Sequence, residues 1–191
     1  MITLQFTRFD HRRHLDILFS LMMTPSEQMM FLTYSISNSL KDFDGWLQDQ
    51  LKYFYHEFFI VESDDGEFIG YVCSYDHHPT DGHCKMTTYI APVWRGCGVG
   101  ALVGLRFLDH LFSFYSYRRV NCDVYQYNQA SLQSLKQCGF EMTGYIKEYR
   151  YYDGDYHDLV LMSITKEGFM IRGKLLLAQG QMMHQANHSD F

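Results

Sequence analysis

Apolar positions change period several times along this chain, and the changes mark out its elements. Residues 2–9 alternate between apolar and polar, which predicts a first strand. Asp10 is placed to cap a helix from His11 to about Met23, in which Leu15, Leu18, Phe19 and Met22 recur at three and four. Thr24-Pro25-Ser26-Glu27 interrupts the pattern, and two further helical stretches follow at roughly 26–34 and 41–52. Residues 58–62 and 68–73 read as strands joined by the hairpin signal Asp64-Asp65-Gly66. Residues 86–90 form another strand. Beyond a glycine-rich turn, Val99, Leu102, Val103, Leu105, Leu108 and Phe112 return to helical spacing. Residues 119–125 alternate as a strand, and residues 128–139 read as a helix closed by Gly139. A last hairpin turns at Asp153-Gly154 within residues 149–164. After it, residues 169–178 predict a short helix, and the polar residues 179–191 predict disorder.

The turn between the strand at 86–90 and the helix that follows carries the chemistry. Arg95-Gly96-Cys97-Gly98-Val99-Gly100 sits where backbone N–H groups lack intrahelical partners, at the positive end of the helix dipole. Glycines there permit positive φ and close approach of an anion, and Arg95 adds a charged donor. A phosphate group is the expected ligand. Two known phosphate loops do not fit. No Gly-Lys-Ser or Gly-Lys-Thr follows, which excludes a P-loop. The dinucleotide fingerprint lacks its acidic residue about 20 positions on, since Asp109 and Asp123 both miss that spacing.

Arg-x-x-Gly-x-Gly after a strand ending in Pro92 resembles the acetyl-CoA-binding motif of the GCN5-related N-acetyltransferases, the GNAT superfamily. Arg95, Gly98 and Gly100 fall on its fixed positions, and Gly96, Cys97 and Val99 on its variable ones. Downstream, Asn128-x-x-Ser131 followed by Gly139-Phe140 resembles the next motif, in the style of the subgroup acting on N-terminal amines of ribosomal proteins. The hairpin at 149–164 resembles that subgroup's closing element. The resemblance spans about residues 55–165. It implies a mixed, mostly antiparallel α/β sheet of six to seven twisted strands, splayed at a cofactor cleft and flanked by helices. It also implies acetyl-CoA as cosubstrate, held by Tyr89, Ile90, Arg95, Gly96, Cys97, Gly98, Val99, Gly100, Asn128 and Ser131. In that reading the main chain near Tyr89 and Ile90 pairs with the pantetheine, and an N–H near Ile90 receives the oxyanion. Asn128 suits a helix cap as well as a cofactor contact. One position departs from the pattern. Where many members carry a tyrosine that protonates the leaving thiolate, this chain has Leu135.

Composition narrows the rest. The chain has 191 residues, enough for one domain, placed at 1–168 with an extension at 169–191. Its formal charge of −6 argues against non-specific nucleic-acid binding, and no apolar run is long enough to span a membrane. Five scattered cysteines without a C-x-x-C pair suggest free thiols, buried at Cys73 and Cys122, and a cytoplasmic protein without an export signal. Cys97 holds a variable motif position, so no catalytic role is expected of it. His77, His78, His83 and Cys84 invite a metal, but both pairs are adjacent and a turn lies between them, so no metal is expected.

The expected activity is transfer of acetyl from acetyl-CoA to a primary amine, of a protein N-terminus or a small molecule, by a monomer or homodimer. The alternative is an acyl-CoA-binding module without chemistry. Asp123 and Tyr125 are the candidate catalytic residues, with Glu62 a further candidate for proton handling. Tyr145, Tyr149, Tyr151, Tyr152 and Tyr156 are candidates for an aromatic wall beside the acceptor.

Overall fold

The computed structural model describes residues 3–24, 26–28 and 39–178. Seven strands form a single sheet: β1 (Gln5–Arg8), β2 (Tyr55–Glu62), β3 (Phe68–His78), β4 (His83–Ile90), β5 (Arg119–Tyr125), β6 (Glu141–Tyr152) and β7 (Asp155–Thr165). They lie in the order β1-β2-β3-β4-β5-β7-β6, and only β4 and β5 run parallel. That parallel step needs a crossover, which α3 (Val99–Phe114) supplies. Helices α1 (His11–Met22) and α2 (Leu40–Asp49) precede the sheet's centre in sequence, and α4 (Gln129–Gln137) follows β5. The expected mixed, mostly antiparallel sheet is present.

Local chemistry sets the helix starts. The Asp10 carboxylate accepts from the N–H groups of Arg12 and Arg13 at 2.9 and 3.1 Å, satisfying two donors that the first turn leaves open. Ser39 caps α2 through the Asp42 N–H at 3.4 Å. The helix expected at 41–52 is α2, and it passes through a π-helical turn, Gln50–Phe54, before β2. Of the helix expected at 26–34, residues 26–28 are helical and the remainder lies outside the described residues, as do residues 179–191. β3 runs five residues past its expected end at Cys73, because the ladder to β4 continues through polar Ser74 and on to His78.

Strand alternation divides the interior in two. Val72, Cys84, Met86, Val120, Cys122 and Val124 face α3, where Val103, Leu108 and Leu111 are fully buried. On the opposite face Leu15, Leu18, Phe43 and Leu47 of α1 and α2 cover Phe58, Tyr71 and Tyr89. Each such apolar side chain contributes about 1.5–3 kcal/mol by leaving water. All five cysteines are free, with Cys97 exposed and the others buried. Past β7, Phe169 is buried beside Phe112 at 5.5 Å between ring centroids, and Leu176 and Leu177 pack on the same core. Leu175 is exposed. Among the described residues no helix is long and apolar enough to cross a membrane.

β6 forms one edge of the sheet and is exposed along nearly its whole length, Met142, Tyr145, Ile146, Tyr149 and Tyr151 included. Its register to β7 slips between Ile146 and Arg150, where Glu148 takes φ +52° and donates its N–H to the Asp158 carboxylate at 2.9 Å.

Candidate active site

β4 and β5 touch only at their beginnings. His83, Cys84 and Lys85 pair with Arg119, Val120 and Asn121, and beyond these the facing edges carry no cross-strand pair among the described residues. Two helix N-termini stand at the open end of this splay, α3 after β4 and α4 after β5. The chain leaves β4 through a short turn, Pro92–Trp94, and enters α3 through Gly96 at φ +80° and Gly98 at φ +82°. Only glycine takes that conformation without strain. Gly98 caps α3 without a side chain, and Leu102 is the first residue to reach back, to the Gly98 carbonyl at 3.3 Å. The N–H groups of Val99, Gly100 and Ala101 have no backbone acceptor among the described residues. A Cβ built on Gly96 or Gly98 would meet nothing within 4 Å. Three unclaimed N–H groups, a dipole terminus and open space make an anion cradle. Gly100 lies close under Ile90, so the first turn of α3 rests on the end of β4.

Arg95 is committed differently from the expectation that it serves a phosphate. Its guanidinium holds the Glu27 carboxylate at 2.8 and 2.7 Å, and its Nε donates to the Ile90 carbonyl at 2.8 Å. The hydrogen bonds to Glu27 raise its pKa further. Glu27 is 5 % exposed. Beneath them Tyr89 stacks on Tyr71, and Tyr71 on Phe58, at 5.2 and 5.1 Å. Burial, with Glu27 nearby, pushes the Tyr89 hydroxyl up to about 12. In this geometry the cradle is lined by backbone, and Arg95 braces it. Cys97 donates its thiol to the Trp94 carbonyl at 3.1 Å.

Asp123 and Tyr125 lie on β5 opposite α3, on the face away from Val120, Cys122 and Val124. Asp123 pairs with Lys85 at 2.9 Å, and Lys85 with Asp76 at 3.3 Å. Tyr125 is nearly buried, with the Arg150 guanidinium 5.4 Å from its ring centre. Burial raises its pKa. Beside Lys85 opens a cleft of roughly 540 Å³ lined by Tyr53, His56, Tyr75, Asp76 and His77, among others. Asn128 caps α4, accepting from the Ser131 N–H at 3.2 Å, so the capping role is present. Leu135 packs against the α3-side core.

Several expectations need correction. Glu62 is two strands from β4, and its carboxylate is taken up by Thr7 at 3.1 Å and Arg13 at 2.8 Å. It braces β1 and α1. The five tyrosines expected to form a wall differ in exposure. Tyr145, Tyr149, Tyr151 and Tyr156 are exposed on the β6–β7 hairpin. Only Tyr152 turns in, 4.5 Å from Tyr127, which stacks on Tyr125 at 5.4 Å. Tyr127, Arg150 and His157 belong to this group, and sequence reading missed them because the first stands between elements and the others on an exposed hairpin. Cys84 is core. His77 meets the Tyr117 hydroxyl and Ser74, while His78 faces His83 across the turn.

Known proteins share this fold. The sequence profile of the Acetyltransferase (GNAT) domain matches residues 4–141. The SPbeta prophage-derived uncharacterized N-acetyltransferase YokL of Bacillus subtilis (strain 168) is 27% identical over 124 residues, which is 65% of this chain and 70% of that protein. The spermidine N-acetyltransferase from Vibrio cholerae, solved with CoA and spermine, superimposes with a TM-score of 0.75 at 20% identity, covering 88% of this chain and 98% of that one. A GCN5-related N-acetyltransferase from Brucella melitensis gives 0.75 at 17% identity, over 91% and 82% of the two chains.

Proposed function

The chain belongs to the GNAT acetyltransferase family, an acyltransferase with acetyl-CoA as cosubstrate, and from that premise we propose how its own residues carry the transfer and what they transfer to. The N–H groups of Val99, Gly100 and Ala101, with Gly96 and Gly98 giving access, hold the pyrophosphate. The β5-facing edge of β4 near Tyr89 and Ile90 pairs with the pantetheine as an added strand would. Asn128 and Ser131, at the start of α4, close the cofactor's other side. The thioester then lies in the splay, and the amine approaches from the face opposite α3.

On that face Asp123 takes the proton of the attacking amine, directly or through water. Amine nitrogen bonds to the thioester carbon, the tetrahedral oxyanion collapses, and the C–S bond breaks. The departing thiolate needs a proton. Leu135 has none to give, and Tyr125, whose burial holds its hydroxyl in the protonated form, supplies it.

The acceptor is a primary amine, with the cleft beside Lys85 as its entrance. A protein N-terminus fits the motif style of the ribosomal-protein subgroup, and a polyamine fits the spermine-bound Vibrio cholerae neighbour. The protein acts as a monomer or homodimer. The observation that carries the reading is the backbone cradle at the open end of the splay. It is tested by thermal shift with CoA and acetyl-CoA on wild type and Gly98→Glu. Ligand at 100 times its dissociation constant stabilises by about 2.7 kcal/mol. Stabilisation of wild type alone supports the cradle, and no shift in either protein refutes it. An acceptor screen with spermidine and with peptides of free N-terminus then separates the two amine classes.

A further inference from the structure

We propose that the β3–β4 turn is a divalent transition-metal site formed by His78, Asp81 and His83. The two histidines are direct cross-strand partners, with ring centroids 4.5 Å apart. One donor atom from each of the three residues lies within 4.8 Å of the others. Donors around a tetrahedral ion stand about 3.3 Å apart for bonds near 2.0 Å. Small rotations of His78 and Asp81, both exposed side chains, close that difference.

A backbone irregularity produces the arrangement. The β3 ladder slips between Tyr75 and His78, and Asp76 takes φ +52°. The slip separates the neighbouring histidines. His77 contacts the Tyr117 hydroxyl and lies tilted against the His56 ring, while His78 faces His83. Asp76 also orients His78. Its carboxylate meets His78 Nε2 at 3.0 Å, and the other ring nitrogen, Nδ1, faces Asp81 Oδ2 at 4.0 Å. With the N–H on Nε2 pointing at Asp76, the Nδ1 lone pair is directed to the turn. A carboxylate behind a histidine is how ligating imidazoles are commonly fixed and made more basic. Asp76 is held in turn by Lys85 at 3.3 Å.

Two imidazoles and one carboxylate favour Zn²⁺, Co²⁺, Ni²⁺ or Cu²⁺ over Mg²⁺ and Ca²⁺, and three protein ligands leave a position for water. The turn is tied to the start of β5, because the Gly82 carbonyl accepts from the N–H groups of Arg118 and Arg119 at 2.7 and 3.2 Å. An ion there clips together the closed end of the β4–β5 splay.

The test is calorimetric titration of tag-free, metal-free full-length protein with Zn²⁺, with Mg²⁺ as comparison, on wild type, His78→Ala, His83→Gln and Asp76→Asn. Melting of the metal-free variants verifies that each is folded. Wild type is expected to take up one equivalent of Zn²⁺ at this turn and to melt higher with it. Each histidine variant should lose at least about tenfold in affinity, and Asp76→Asn about 10- to 100-fold. Absence of saturable uptake, equal preference for Mg²⁺, or uptake unchanged in both histidine variants overturns the site. The histidine ring resonances of wild type provide a second readout, since those of His78 and His83 should move together on addition of Zn²⁺.

Discussion

Arg95 and Glu27 close a two-pronged ion pair across 68 residues of sequence, at 2.8 and 2.7 Å, directly over the ring of Tyr89. Glu27 is buried while the Arg95 side chain is 42% exposed. Removing the arginine therefore strands a desolvated carboxylate. Arg95→Ala should cost about 1–3 kcal/mol in chemical denaturation. Glu27→Gln should also lower stability, yet it frees the guanidinium beside the cradle, so CoA should bind that variant more tightly by calorimetry. Weaker CoA binding in Glu27→Gln would show that the pair must stay closed for the cofactor to be held.

Gly70 marks where the sheet comes too close for a side chain. It lies opposite Ile90, and a Cβ there would overlap the Tyr89 carbonyl. Because the obstacle is backbone, β4 must shift. Gly70→Ala should destabilise by about 1–3 kcal/mol and should weaken CoA binding through displacement of β4, seen as a smaller thermal shift at equal ligand. Gly45→Ala, on α2 where nothing lies within 4 Å, serves as control and should not lose stability.

Asp123→Asn tests the proton path. If the Asp123 carboxylate accepts the amine's proton, kcat should fall by about 10²–10⁴, with KM for acetyl-CoA little changed. Tyr125→Phe should also lower kcat. An unchanged kcat in both variants would move proton handling to water.

Acid should weaken the fold through His77. Burial, with His56 beside it, pushes the His77 imidazole down to about 4, against about 6.5 in an unfolded chain. The folded state resists the proton that the unfolded state accepts. Stability is thus full above pH 6.5 and declines as pH falls toward 4. Glu57 adds to the loss at lower pH. Burial raises its pKa, but the Tyr115 hydroxyl, Arg8 and His110 more than offset that and leave it lowered. Melting temperature from pH 7.5 to 4.5, in metal-free buffer, should fall less steeply in His77→Gln.

Much of this architecture was legible because each element carries a local signal. Asp10 announces α1, the alternation of residues 119–125 is β5 residue for residue, and Asp153-Gly154 turns the last hairpin. The glycine turn before α3 was legible for the same reason, since Gly96 and Gly98 both take positive φ. What sequence spacing does not encode is which distant side chain claims a charge. The spacing that points Arg95 at a phosphate does not show that Glu27 holds its guanidinium, nor that Arg13 and Thr7 hold the Glu62 carboxylate. The expectation of no metal rests on the adjacent pairs His77-His78 and His83-Cys84 and on the turn between them. Only the slip at Asp76, a tertiary adjustment of one strand against another, separates His78 from His77 and sets it facing its partner.

The edge at β6 has a further consequence, for what the protein does when crowded. Twelve residues of open backbone carrying tyrosines and an isoleucine invite a neighbouring chain to add itself, the first step toward fibrils. The kink at Glu148 breaks that edge into two short halves and spends one of its amides on Asp158. Lys147 and Glu148 place exposed charges at the break. Bending at Glu148 shortens the straight edge that another chain could extend.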